Sequence, residues 1–404
     1  MADARQLEHF PNIIAMFLAR AEQKGDAPFL WAKREGEWRA TSWREAARQV
    51  SALATGLKSI GLERGDRVAL VSENRPEWLI ADLAIMAAGC ITVPTYTTNT
   101  TRDHAHILEN SGARAVIVSN QKLAKNLVPA VLMANNCHHI IGIDDIRVDQ
   151  TPDWVNVSRW SDLIAGDGDI EGLKRDIANV GRDDLACLIY TSGTGGAPRG
   201  VQQHHGALLH NVEGCTDIIS TDFGWDDEVF LSFLPASHAY EHTGGQMFPI
   251  ALGAQIYYAE SLEKLAANID EVQPTIMVVV PRLFEMLRTR IMKAIEGRGG
   301  VAKYLLRRAL EIGADKYEGR LKPWDRPMDG ILNLTLRRKV RATIGGKQKA
   351  WVSGGAPLNP EVGNFFESLG ITFLQGYGQT ESGPVIACNR PSAGIRLDTV
   401  GPPV

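Results

Sequence analysis

Residues 190–201 read Tyr-Thr-Ser-Gly-Thr-Gly-Gly-Ala-Pro-Arg-Gly-Val, directly after an apolar run at 185–189. We interpret the run as a short buried strand that leads into a loop with four glycines. Glycine lets backbone N–H groups approach a ligand closely, and several inward N–H groups together form an anion-binding concavity. The loop also carries hydroxyl donors and one fixed positive charge, on Thr191, Ser192, Thr194 and Arg199. The stretch therefore predicts a polyphosphate-binding loop.

Two common nucleotide loops are excluded by the spacing of these residues. A Walker loop reads G-x-x-x-x-G-K-[ST]; counted from Gly195, Gly200 fits, but Val201 stands where the lysine must be. A dinucleotide fingerprint reads G-x-G-x-x-G; Gly193 and Gly195 fit, but Pro198 stands at the third position. Proline cannot give the close helix–strand packing that glycine provides there. The loop is a different solution to phosphate binding.

Composition and charge narrow the class of protein. The chain has 404 residues, 44% of them hydrophobic and 22% charged, which predicts a folded protein with two or more packed layers or lobes. The net charge of −4 gives no whole-chain attraction to nucleic acid, so we expect no nucleic-acid partner. The five cysteines are scattered without a C-x-x-C pair, and no signal-peptide core or membrane-spanning run is present. We expect a reduced, cytoplasmic protein; peripheral membrane contact and a homodimer stay open.

Strand and helix patterns alternate along the chain, which predicts an α/β fold with layered, largely parallel sheets flanked by helices. Predicted strands cover 68–72, 91–94, 113–118, 138–143, 185–189, 229–234, 255–258, 275–280, 349–353 and 372–375. Predicted helices cover 76–88, 102–110, 121–134, a stretch from 205 onward, 243–251, 262–273, 282–295, 301–317, 331–344 and 360–369. We expect lobes of about 1–180 and 181–404 with interleaved sheets, and a polar excursion at 144–183 between them.

A second glycine segment reads Ser-Gly-Gly-Ala-Pro-Leu at 353–358, between a predicted strand and a predicted helix. Its glycines permit a flat ligand to approach the backbone closely. A strand-to-helix turn without any ligand is the alternative interpretation.

A third segment reads Gln-Gly-Tyr-Gly-Gln-Thr-Glu at 375–381, after a predicted strand. Open α/β sheets bind ligands at the carboxyl ends of their strands. Tyr377 offers a flat face to a purine, Thr380 offers a hydroxyl to phosphate, and Glu381 offers a hard oxygen to Mg²⁺. The alternative is a solvated turn.

A fourth segment reads Leu-Pro-Ala-Ser-His-Ala-Tyr-Glu at 234–241, after a predicted strand end. A lone histidine is more often structural than catalytic, so His238 alone decides nothing. We interpret His205, just after the phosphate loop, as packing at a helix start.

Taken together, the segments resemble those of the adenylate-forming superfamily, which includes acyl-CoA synthetases, luciferases and peptide-synthetase adenylation domains. The phosphate loop of that family usually reads [YF]-T-S-G-[ST]-T-G-x-P-K-G-V. This chain departs at Gly195, which replaces threonine, and at Arg199, which replaces lysine. Arginine keeps the charge in a planar fork. The lost hydroxyl donor would cost roughly 2–4 kcal/mol if no backbone N–H replaces it.

The resemblance implies roles for particular residues. It places Tyr377 on adenine, Thr380 on the α-phosphate, His238 beside the substrate carboxylate, and Thr194 with Glu381 on the metal. It implies His238, Thr194 and Glu381 as the catalytic residues. The residues implied to contact the nucleotide are Thr191, Ser192, Gly193, Thr194, Gly195, Gly196, Arg199, Gly354, Gly355, Ala356, Pro357, Gln375, Gly376, Tyr377, Gly378 and Thr380. ATP and Mg²⁺ are the implied cofactors, and coenzyme A is the implied co-substrate.

The helices at 281–344 and the tail at 383–391 resemble the long-chain branch of the acyl-CoA synthetases. Nine basic residues lie between 320 and 349, opposed only by Asp325 and Asp329. Such a patch suits anionic lipid headgroups or the phosphates of coenzyme A. A solvated helix face is the alternative that we favour from sequence alone.

The resemblance covers residues 11–404 and only the large N-terminal domain of a family member. The T-G-D segment with its ribose-binding aspartate and the C-terminal domain with its lysine are absent from the sequence. It implies a two-step activation of a fatty acid, expected to be long-chain, and poor activity for this fragment. Two other functions stay open: an adenylation module that passes its acyl group to a carrier thiol or a reductase, and a non-catalytic nucleotide-binding protein.

Overall fold

The computed structural model describes residues 6–148, 151–191, 197–297, 299–342 and 345–404. Its strands are β1 (Pro28–Arg34), β2 (Glu37–Ser42), β3 (Arg67–Val71), β4 (Ile91–Thr95), β5 (Ala113–Val118), β6 (His139–Gly142), β7 (Asn156–Arg159), β8 (Leu185–Thr191), β9 (Arg199–His204), β10 (Val229–Ser232), β11 (Gln255–Tyr258), β12 (Ile276–Val279), β13 (Ala350–Ser353), β14 (Phe373–Gly378) and β15 (Val385–Cys388).

The α-helices are α1 (Ile13–Lys24), α2 (Trp43–Ser59), α3 (Pro76–Ala87), α4 (Thr101–Ser111), α5 (Gln121–Met133), α6 (Trp160–Leu163), α7 (Ile170–Ile177), α8 (His205–Asp222), α9 (Ala239–Glu241), α10 (Phe248–Leu252), α11 (Leu265–Val272), α12 (Pro281–Glu296), α13 (Gly300–Tyr317), α14 (Arg326–Leu332), α15 (Arg338–Ala342) and α16 (Pro360–Ser368). Two π-helical turns cover His242–Met247 and Asn333–Arg337, and short 3₁₀ turns cover Pro323–Asp325, Thr380–Ser382 and Pro391–Ala393. No described helix has the length and apolarity to cross a bilayer.

The described strands form two sheets, and most neighbouring pairs are parallel. One sheet has eight strands in the order β15-β14-β13-β12-β10-β11-β1-β2, and the other has seven in the order β7-β6-β5-β3-β4-β8-β9. The pairs β1/β2, β8/β9 and β14/β15 are antiparallel. The predicted fold class, largely parallel sheets flanked by helices, is confirmed.

The two sheets exchange strands along the chain. The N-terminal hairpin of β1 and β2 joins the sheet that residues 229–388 otherwise build, through the parallel pair β1/β11. The hairpin of β8 and β9 completes the sheet of the N-terminal part, through the pair β4/β8. Helix α3 contacts β3 and β4 of one sheet and β1 of the other. Eleven of its twelve residues are buried, since it packs between both sheets.

One local prediction was incomplete. The sequence predicts a loop that opens directly into a helix from 205, and α8 does begin at His205. Between the loop and α8, residues 199–204 form β9, which pairs antiparallel with β8. The ladder with β8 satisfies backbone groups that a free loop would leave to water.

The parallel strands β12, β13 and β14 are neighbours, so their carboxyl ends meet at one edge of the sheet. The segments 354–358 and 376–381 follow or end these strands and therefore lie side by side. This edge is where an open α/β sheet binds its ligand.

Candidate active site

A cavity of about 390 Å³ opens at this carboxyl edge and contains most of the predicted site residues that the structure describes. We call its hydrophilic part the polar rim, formed by Thr191, His238, Gly354, Gly355, Gly376, Tyr377, Gly378, Gln379, Thr380 and Glu381. We call its hydrophobic part the apolar wall, formed by Cys215, Ile218, Ile219, Phe248, Ile276, Val278, Val352, Leu374, Pro384, Val385 and Cys388. Three segments far apart in sequence thus share one cavity with His238.

Two side chains of the rim, those of Tyr377 and Glu381, are available to a ligand in the cavity. The ring of Tyr377 is 50% exposed at the end of β14, so a flat ligand can stack on it. Glu381 is exposed, and its carboxylate has no hydrogen-bond or ion-pair partner among the residues that the structure describes. A free carboxylate at the mouth of a cavity fits the oxygen ligands that Mg²⁺ prefers.

Side chains from other elements hold the turn at 380–385 in place. Gln203 of β9 donates its Nε2–H to the Thr380 carbonyl. Asn211 of α8 donates to the Ser382 carbonyl at 3.1 Å and accepts the N–H of Val385. The strand that follows the phosphate loop therefore positions the rim turn directly.

His238 has a defined tautomer. It caps the short helix α9, and its Nδ1 accepts the backbone N–H of Tyr240 at 3.1 Å. In the neutral ring the proton then sits on Nε2. Burial lowers the pKa of His238 below its usual value, which favours this neutral form near pH 7. The site gains an Nε2–H donor without a fixed positive charge.

Tyr240 lies where the rim meets the wall. Its hydroxyl donates to the Val352 carbonyl at 2.7 Å, and burial raises its pKa well above the usual value. A Cβ added to Gly354 would lie 2.8 Å from Cζ of Tyr240. Only glycine lets the backbone of 354 rest against this ring.

The apolar wall combines one sheet face with one helix. Val278 pairs with Val352, and Val352 pairs with Leu374, so three neighbouring strands present one apolar side chain each. Ile276 lies two residues before Val278 and extends the same face away from the rim. Ile218 of α8 belongs to the helix that covers this face.

A buried carboxyl stands behind the wall. Glu241 accepts the Ser232 hydroxyl at 2.6 Å and the Nε2–H of Gln246 at 3.3 Å. Burial raises the pKa of Glu241 to about 8. Gly245 has no Cβ that would collide with this carboxyl, so the π-helical turn can wrap it and bring Gly244 to the cavity.

Some predicted residues lie elsewhere. Arg199 is exposed on β9, opposite Thr191, and Ala356 and Pro357 are exposed in the turn after Gly355. None of the three lines the cavity. Ser192, Gly193, Thr194, Gly195 and Gly196 fall outside the described residues.

Gln375 is also away from the cavity, because its side chain is used within the protein. Its Oε1 accepts the N–H of Leu358 at 3.3 Å, and its Nε2 donates to the Thr399 carbonyl at 3.2 Å. It fastens the turn at 354–358 to the C-terminal segment. His205 lies at the start of α8 and accepts the N–H of Ile13 at 3.4 Å, as its predicted packing role requires.

Sequence reasoning missed the wall and the residues that support the rim. Val352 and Leu374 precede Gly354 and Gly376 by two residues, and alternate residues of a strand share a face. This two-residue alternation could have identified Val352 and Leu374 as cavity residues from the sequence. Gln203 and Asn211 carry no local signal, because their contacts lie more than 170 positions away.

A model of the family described as AMP-binding enzyme matches residues 17–404. The chain belongs to this family of adenylate-forming enzymes. The predicted resemblance is confirmed.

One curated relative is the long-chain-fatty-acid–CoA ligase FadD15 of Mycobacterium tuberculosis. It is 29% identical over 398 residues, which cover 97% of this chain and 64% of the relative. The chain thus spans less than two thirds of the length of this relative.

Solved structures share the fold. A benzoate CoA ligase from Burkholderia xenovorans gives a TM-score of 0.71 at 23% identity, covering 98% of this chain and 66% of that one. The adenylation domain of a carboxylate reductase from Mycobacterium chelonae gives 0.66 at 22% identity, covering 94% and 59%.

Proposed function

We propose that this AMP-binding enzyme, in its full length, activates a fatty acid with ATP, first as the acyl-adenylate and then as the thioester of coenzyme A. The observation that carries the proposal is the union of polar rim and apolar wall in one cavity. Its volume of about 390 Å³ falls in the usual range of ligand pockets. An acyl-adenylate has the same division into a polar head and an apolar tail.

In this proposal, the rim holds the nucleotide. Tyr377 stacks on adenine, Thr380 and Thr191 offer hydroxyls to phosphate, and Glu381 holds Mg²⁺ with Thr194. The ion, when bound, neutralises charge on the triphosphate. We assign the nucleotide-binding role also to Gly354, Gly355, Gly376 and Gly378, whose backbones border the cavity.

The first step joins the substrate carboxylate to the α-phosphorus while pyrophosphate leaves. His238 lies on the rim with its Nε2–H as a donor, so we assign it the orientation of the carboxylate. In the second step the sulfur of coenzyme A bonds to the acyl carbon and AMP leaves. Both steps depend mainly on positioning and charge neutralisation.

The length of the wall favours a fatty acid over a small aromatic acid. Strands β12 and β13 run in parallel, and Ala350 lies beside Ile276. Gly354 follows Ala350 by four residues, so it lies four residues along the sheet from Ile276. At the usual rise this is about 13 Å of apolar sheet. The curated relative named above is a long-chain-fatty-acid–CoA ligase, which supports the same choice.

Fatty-acid-dependent exchange of pyrophosphate into ATP, measured on the full-length protein, tests the proposal. We expect exchange with palmitate that exceeds exchange with benzoate. Exchange with benzoate alone would contradict the fatty-acid assignment. ATP binding without exchange for any acid would favour a non-catalytic nucleotide-binding protein, and exchange followed by transfer only to a carrier thiol would favour the adenylation module.

A further inference from the structure

Helices α12–α15 concentrate positive charge in a chain that is acidic as a whole. Residues 281–342 contain 16 lysines and arginines against seven aspartates and glutamates, whereas the whole chain contains 43 against 47. None of these residues that the structure describes lines the cavity, so the proposed reaction gives this surplus no role there.

The same helices expose large apolar side chains. Seven of the thirteen exposed large hydrophobic residues of the described chain fall in 281–342. Val301 is 75% exposed, and Leu334 is 77% exposed. These seven are Met286, Val301, Tyr304, Tyr317, Trp324, Ile331 and Leu334. Singly exposed hydrophobic residues are ordinary, but such a concentration on one group of helices marks an interaction surface.

Some of these exposed apolar side chains lie beside basic side chains in the folded protein. Val301 of α13, Thr335 and Lys339 line one apolar groove of about 310 Å³ along α12. Ile331 and Leu334 are three residues apart on the helical segment that contains Thr335, and helical residues at that spacing are neighbours. Apolar and basic side chains therefore border the same groove.

The cations on this border are free of carboxylates. Arg338 and Lys339 are exposed and form no ion pair with any described residue. By contrast, the neighbouring Arg337 is buried, bonds Asp329 at 2.5 Å and donates to the Ser368 carbonyl at 2.7 Å. Arg337 serves the fold, while the two residues after it point their charge at solvent.

We propose that Val301, Ile331, Leu334, Arg338 and Lys339, which we call the basic apolar face, dock the protein on the surface of an anionic lipid bilayer. Unpaired lysine and arginine are attracted to anionic headgroups, and aliphatic side chains insert at the acyl boundary. The phosphates of coenzyme A would engage the cations but give no use to Leu334 and Val301. Docking on a bilayer explains the exposure of both the basic and the apolar side chains, and this proposal does not depend on the proposed reaction.

Co-sedimentation with lipid vesicles tests the proposal on the 404-residue chain without substrate. We expect binding to phosphatidylcholine vesicles that contain one third phosphatidylglycerol, and much weaker binding to phosphatidylcholine alone. R338E/K339E should lower the affinity for anionic vesicles by about tenfold or more, since each cation near the surface contributes about 1 kcal/mol. L334E should also lower it, and added salt should weaken the wild-type binding.

Matched controls use α5 in the N-terminal part, where Lys122, Lys125 and Met133 are exposed. K122E/K125E changes charge as R338E/K339E does, and M133E matches L334E. Both controls should bind anionic vesicles as the wild type does, and all variants should keep the wild-type circular dichroism.

Three results would overturn the proposal. Equal losses in the control and test variants would mean a general charge effect. Unchanged vesicle binding by R338E/K339E, together with a weaker affinity for coenzyme A in a direct binding measurement, would assign the cations to a soluble phosphate. Absence of vesicle binding, with self-association that L334E abolishes, would make the face an interface between two copies of the chain.

Discussion

The polar rim and the apolar wall share one cavity, yet the chain builds them differently. The rim uses backbone groups, hydroxyls and a carboxylate at strand ends, held by distant side chains such as Gln203 and Asn211. The wall uses aliphatic side chains from three adjacent strands, covered by α8. A change in the rim should therefore alter the chemistry, and a change in the wall should alter the choice of acid.

Glu381→Gln gives the largest expected effect, because it removes the negative charge of the carboxylate that we propose holds Mg²⁺. We expect pyrophosphate exchange to fall about 100-fold or more, the scale of losing one group that stabilises developing charge. Steady-state exchange at several Mg²⁺ concentrations measures it. Since Glu381 is exposed, the melting temperature should stay unchanged.

Glu263→Gln is the matched control, an exposed glutamate that does not line the cavity. If both variants exchange pyrophosphate at the wild-type rate, Glu381 has no part in the reaction and the rim assignment is wrong.

Gly354→Ala probes the junction of rim and wall. The new Cβ would lie 2.8 Å from Tyr240 Cζ, so the ring must move and its bond to the Val352 carbonyl must stretch. We expect the free energy of unfolding to drop by about 1–3 kcal/mol. Urea denaturation measures it.

Gly330→Ala serves as the control for that measurement, because a Cβ there meets nothing within 4 Å. Equal stability of the two variants would show that Tyr240 does not rest against residue 354.

Val278→Phe gives the smallest of the three effects, a change in the preference between long and short fatty acids. The larger ring would fill space between the sheet and Gly244. This space is narrow, because a Cβ added to Gly244 would lie 3.1 Å from Val278 Cγ2. We expect the ratio of exchange with palmitate to exchange with octanoate to fall about tenfold. Because each variant is compared with itself on two acids, a change in stability cancels. An unchanged ratio would show that the acyl chain does not pass Val278.

The rim could largely be predicted from the sequence, because its residues sit in short motifs directly after strands. Tyr377, Thr380 and Glu381 lie within five positions of one another, and parallel strands bring their carboxyl ends together. The fold class followed from the alternation of strands and helices. Arg199 was assigned to the nucleotide, and it lies on β9 outside the cavity.

The wall and the strand exchange could not be predicted in the same way. Ile276, Val352 and Leu374 look like ordinary core residues until the register of three strands is known. The entry of β1 and β2 into the sheet of the later strands depends on pairing across more than 200 residues. Such contacts arise from tertiary packing, and single-sequence patterns do not carry them.

A crystal structure with a non-hydrolysable palmitoyl-adenylate analogue tests the central claim most directly. We predict adenine on Tyr377, the phosphate between Thr191 and Thr380, and the acyl tail along Val278 and Val352. A tail that turns away from the sheet into solvent, or an adenylate bound outside the rim, would contradict it.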